Sequence, residues 1–197
     1  MTVPSALSPE DILVRAQDTP NPNAIKFITN QVLKHVGNAT FTNREECENL
    51  PLAASLFDIP GVEQIYFFQN TLTLTHSEEL PTQIIKDQVQ SVLRTRLNVH
   101  DPDFESYQEQ KAKTKPDRSR LSPELQQIEE ILDRTIRPGL QSDGGDIEVV
   151  EFKDNELKIL YQGACGGCPS AQMGTLDAIQ SILRSELNND QIVVSPI

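Results

Sequence analysis

Apolar residues in this chain recur in two ways, at alternate positions in short runs and three or four apart in longer ones. The runs ILVRAQ and AIKFIT read as short strands, separated by DTPNPN, whose Asn and Pro residues favour turns and exclude helix. The stretch PLAASLFDI, opening on Pro51, places Leu52, Leu56 and Phe57 on one helical face and stops at Pro60-Gly61. VEQIYFF and TLTLTH alternate as strands and join at Gln69-Asn70, which predicts a hairpin. Over 82–97, Ile84, Ile85, Val89, Val92, Leu93 and Leu97 keep helical spacing.

A second set of elements follows. Ser122 suits an N-cap, Pro123 the first helical position and Glu124 the positive end of the helix dipole. Leu125, Ile128, Leu132 and Ile136 then share a face, and Pro138-Gly139 is expected to end that helix. DIEVVEF and ELKILYQ predict two strands joined at Asp154-Asn155. A second helix starts near Pro169 with Ala171, Leu176, Ile179, Leu183 and Leu187 apolar, and QIVVS adds a third strand. The order α-β-β-α-β implies two helices on one face of a three-stranded sheet.

Between these regions, residues 103–122 hold almost no aliphatic side chains and include KAKTKPDRSR. Such a segment buries too little apolar surface to offset its ordering entropy. The expected organisation is α+β, with small domains over 1–102 and 123–197 and a flexible linker over 103–122. Formal charge follows the same division: net −5 in the first region, +1 in the linker and −8 in the last, a total of −12 over 197 residues. That acidity opposes a nucleic-acid partner, because phosphate backbones are repelled. The absence of Trp, with 5% aromatic residues, leaves few platforms for stacking bases. No apolar run approaches the roughly 20 residues of a membrane span, so no membrane association is expected. The first residues, MTVPSALSPEDILVR, lack a secretory pattern and carry Arg15 as their only basic side chain, from which a cytoplasmic protein is expected.

The chemistry concentrates in GACGGCPS, residues 163–170. Cys165 and Cys168 form the close pair among three cysteines, so the pattern is a metal or redox motif and not a disulfide framework. Glycines between the thiols let both sulfurs face one point, and a following helix N-terminus favours thiolate. Buried packing thiols fit a polar Gly-rich loop poorly. A thioredoxin-like dithiol oxidoreductase would use the same Cys-x-x-Cys, although about 75 residues are few for that fold. Zinc wants four N or S ligands, and His35, His76 and His100 all fall in or at the edge of the other domain. An iron–sulfur cluster, normally held by four thiolates, would have to be shared between two chains.

The segment IRPGLQSDGGDIEVVEF…LKILYQGACGGCPSAQMGTLDAI closely resembles the NifU C-terminal domain of Nfu-type iron–sulfur scaffold and carrier proteins. The matching positions are Ile136, Arg137, Pro138, Leu140, Asp143, Gly144, Gly145 and Asp146, then Cys165, Cys168, Pro169, Thr175 and Leu176. DTPNPNAIKF and PLAASLFDIPGVEQIYF are similar to the Nfu N-terminal domain. The resemblance implies a [4Fe-4S] cluster, or a [2Fe-2S] form, held by Cys165 and Cys168 of each chain in a homodimer. It also implies upstream cluster-assembly proteins as donors, apo iron–sulfur proteins as recipients, and no substrate turnover.

Other candidates carry plainer expectations. Gly144 and Gly145 are read as positive-φ positions, with Asp143 and Asp146 pinning the loop. Arg137 is expected to pair with an aspartate. Cys47 and Met173 read as packing residues, and Glu129 and Glu130 as a solvated helix face.

Overall fold

The computed structural model describes residues 8–47, 49–106, 122–166 and 169–197, with side chains from 174 onward in the last segment. The chain divides into two compact units, Met1–Gln108 and Glu109–Ile197. Both are mixed α+β.

In the first unit, β1 (Val14–Asp18), β2 (Ala24–Thr29), β3 (Lys34–Phe41), β4 (Val62–Gln69) and β5 (Thr71–His76) form an antiparallel sheet in the order β1-β2-β5-β4-β3. Helices α1 (Pro51–Phe57) and α2 (Thr82–Arg96) complete its core. Gln69, at φ 50°, turns the tight β4–β5 hairpin. Phe27, Phe67, Leu72 and Leu74 from the sheet meet Leu52, Leu56, Ile85, Val89 and Leu93 from the helices, all buried.

Apolar alternation does not predict β3, because polar residues interrupt it in KHVGNATF. Gly37 adopts φ 68°, and the register with β4 shifts between Lys34 and Asn38. A bulge on an edge strand accommodates such a sequence, because one side of the strand has no partner to satisfy.

Residues 103–106, assigned to the linker by composition, dock on this unit. Lys34 Nζ donates to the Phe104 carbonyl at 2.5 Å and lies 4.5 Å from the ring centre. His35 Nδ1 meets Asp103 Oδ1 at 2.8 Å, and Phe104 packs among Phe41, Phe67 and His100. Most of the expected linker, 107–121, lies outside the described residues.

In the second unit, α3 (Pro123–Thr135) begins as expected: Ser122 Oγ accepts the Leu125 N–H at 3.3 Å. The helix does not simply stop at Pro138-Gly139. It breaks at Ile136, and a short helix α4 (Arg137–Ser142) restarts with Pro138 in its first turn. Proline is tolerated there because the N–H it lacks would have no intrahelical acceptor.

Strands β6 (Gly145–Lys153) and β7 (Glu156–Gly163) pair antiparallel across Asp154-Asn155, both at positive φ, and β8 (Val193–Pro196) joins β7 in parallel. Helix α5 (Pro169–Leu187) supplies Ile179 and Leu183 to a core shared with Ile128, Leu132, Ile147, Leu157 and Ile159.

His100 couples the stability of the first unit to pH. Its Nε2 lies 2.7 Å from the Leu33 carbonyl, while its buried Nδ1 has no hydrogen-bond partner among the described residues. Burial lowers its pKa from 6.5, against smaller raising contributions from the Leu33 carbonyl and Asp101. As pH falls below 6.5 the unfolded chain therefore takes up this proton before the folded one does. The contribution of His100 is full above that pH and is lost as pH falls toward the depressed value. Between about pH 7.5 and 5, the melting temperature of the first unit is expected to fall more in the wild type than in His100→Phe. Parallel declines would contradict this assignment.

Candidate metal centre around Cys165

The site forms where β6 starts and β7 ends, each on a glycine. Gly145 sits opposite Gly163 in the strand register. Gly163 takes φ 62° and Gly144 φ 85°, and the Gly144 carbonyl accepts the Ala164 N–H at 3.1 Å. A reverse turn then follows, with the Gly166 N–H bonded to the Gly163 carbonyl at 3.1 Å. Cys165 lies in this turn. It follows Tyr161, the last core-facing side chain of β7, and is only 5% exposed.

A methyl group built on Gly145 would overlap the Cys165 Sγ and would stand 3.0 Å from both the Cys165 nitrogen and the Gln162 carbonyl oxygen. Gly144 uses positive φ as expected, whereas Gly145 does not and instead supplies space, which corrects the expectation for Gly145 alone. Tyr161, absent from the sequence-derived candidates, has its phenol pushed up to about 12 by burial and then by the charge of a Cys165 thiolate. The alternation of Leu157, Ile159 and Tyr161 toward the core is the signal that could have found it. Cys168 lies outside the described residues, as does the side chain of Met173.

Where β6 begins, Arg137 is 7% exposed and meets three carboxylates. Its Nη2 is 2.7 Å from Glu129 Oε2, its Nη1 bonds Asp133, and its Nε lies 3.5 Å from Asp146 Oδ1. The Ile147 carbonyl accepts from Nε and Nη2 at 3.4 and 3.3 Å. Burial alone would lower the guanidinium pKa, but Glu129 and Asp133 hold it above its ordinary value. The expected pairing with an aspartate is present. Glu129, expected to be solvated, is instead buried against Arg137, which lies beyond α3 and outside its pattern of neighbours three and four apart.

Cys47 is buried in the first unit's core, its Sγ 3.6 Å from the Asn43 carbonyl oxygen. Burial, then the neighbouring Glu46, pushes its thiol up to about 12, so it stays protonated at neutral pH and is a poor ligand. Among the described residues no three His, Cys, Asp or Glu side chains form a metal-binding group. The donor that the turn does present is a thiol, which suits soft metals and iron–sulfur clusters better than hard cations. No helix among the described residues is long and apolar enough to cross a membrane.

Residues 128–194 match the family described as NifU-like domain, and residues 14–100 match that described as Scaffold protein Nfu/NifU N terminal. A Schizosaccharomyces pombe relative, NifU-like protein C1709.19c, is 30% identical over 93% of this chain and 72% of its own length. The chain belongs to the NifU-like family. Arabidopsis thaliana NifU-like protein 5, mitochondrial, is 32% identical over 87% of this NifU-like chain and 63% of its own length. The human NFU1 iron-sulfur cluster scaffold homolog, mitochondrial, is 29% identical over 88% and 67%. The chain thus spans about three-fifths of the length of the plant relatives it matches. The cytoplasmic expectation is overturned, because the plant, fly and human relatives are named as mitochondrial. It rested on the residue types of one short terminal stretch, which do not establish a compartment.

Removing the guanidinium would leave Glu129 and Asp146 buried without this cation. Arg137→Leu is expected to destabilise the second unit by about 3–5 kcal/mol. Urea unfolding of the full chain, followed through amide signals of α3, measures this; a loss below about 1 kcal/mol, the worth of a surface pair, would contradict it.

Proposed function

We propose that this NifU-like chain is an iron–sulfur cluster scaffold and carrier whose cargo is held by Cys165 and Cys168. The observation that carries this reading is the position of Cys165, in a glycine-lined turn between the end of β7 and α5, inside the region matching the NifU-like domain. The name of the human relative, an iron-sulfur cluster scaffold homolog, supports it. Each chain offers two close thiols and a cluster normally takes four, so two chains share one [4Fe-4S] cluster in a homodimer, with [2Fe-2S] as the smaller form.

Ligation by two thiolates per chain suits a carrier. Acceptor thiolates can replace one chain's pair at a time, so the cluster leaves without all four bonds breaking together. Upstream assembly proteins load it, apo iron–sulfur proteins receive it, and the chain itself turns over no substrate. Residues 123–197 hold the cargo, residues 1–102 recognise clients, and the stretch between them is the connection.

Anaerobic reconstitution with iron and sulfide tests the ligands. The wild type and Cys47→Ala are expected to become brown with visible charge-transfer absorption, whereas Cys165→Ala and Cys168→Ala lose at least most of it. Retention of the cluster by Cys165→Ala, or a dithiol–disulfide activity without any cluster in the wild type, would overturn the proposal.

A further inference from the structure

We infer that Gly145 is a positioning residue that gives Cys165 a shielded seat in the metal-free chain, from which the thiol must move outward to meet a cluster. This rests on the reading above, in which Cys165 is a cluster ligand, and deepens it. Cargo exchanged with another protein has to be reachable from outside, yet Cys165 is 5% exposed and belongs to the buried group containing Ile147, Ile159 and Tyr161. The seat is specific. A Cβ at Gly145 would occupy the place of the Sγ, whereas one at Gly139 would meet nothing within 4 Å.

The seat is also anchored independently of the thiol. Immediately after Gly145, Asp146 and the Ile147 carbonyl are held by Arg137, and Gln141 Nε2 donates to Asp146 Oδ2 at 3.1 Å. On the other side, the Gly144 carbonyl holds the Ala164 N–H, one residue before the cysteine. A fixed strand end therefore faces a cysteine that is followed by Gly166, a residue without a side chain to resist rotation of the turn. The shielded thiol is kept from oxidants and adventitious metals while no cargo is bound.

Alkylation by iodoacetamide, without metal, tests this apart from cluster chemistry. In full-length Cys168→Ser, the labelling rate at Cys165 is read by peptide mass, folded and in urea. The folded chain is expected to react at least about tenfold more slowly than the unfolded one, since a shielded group reacts through local opening. Gly145→Ala on that background should recover most of the difference, with amide exchange at Ile131 and Leu132 unchanged, while Gly139→Ala should not. Equal folded and unfolded rates, or protection unaltered in a folded Gly145→Ala chain, would overturn the inference. If Gly145→Ala does not fold, equal labelling of folded and unfolded Cys168→Ser still overturns the inference. Failure of cluster loading in the wild type with Cys165 still protected would instead count against the carrier reading.

Discussion

Arg137 is the group on which the surroundings of Cys165 depend, because one guanidinium ties together elements that no backbone ladder connects. Glu129 and Asp133 come from α3, Arg137 opens α4, and Asp146 and the Ile147 carbonyl belong to β6. A buried ion pair contributes little beyond a well-packed apolar replacement, but breaking one from a single side is costly. Its value here is geometric. It fixes where β6 begins, and β6 begins with the glycine against which the cysteine lies.

Much of this was legible in the sequence, for identifiable reasons. Ser122-Pro123-Glu124 carries a complete helix start, and Asp154-Asn155 suits a tight turn at positive φ. These are local signals, decided within a few residues. Strand β3 was hidden because Gly37 and a bulge break its alternation, and α4 because Pro138 reads equally as an end or as a beginning. The roles of Glu129 and Gly145 are tertiary. The first depends on a partner in the next helix, the second on a cysteine brought across the sheet by strand register.

The two units divide the physical work. The first packs its large aromatic side chains into a closed core, and its cysteine there is a protonated packing residue. The second places glycine at the ends of two strands, giving up side-chain packing to bring backbone close to a thiol. That exchange is expected where a backbone must approach a reactive group closely.

Under the proposed ligation by two thiolates per chain, the other half of a cluster's ligands comes from a second copy. Native mass spectrometry of the anaerobically reconstituted full chain distinguishes shared from single-chain ligation. A species of two chains carrying one cluster of about four iron and four sulfide is expected. A single chain retaining a complete cluster would contradict it.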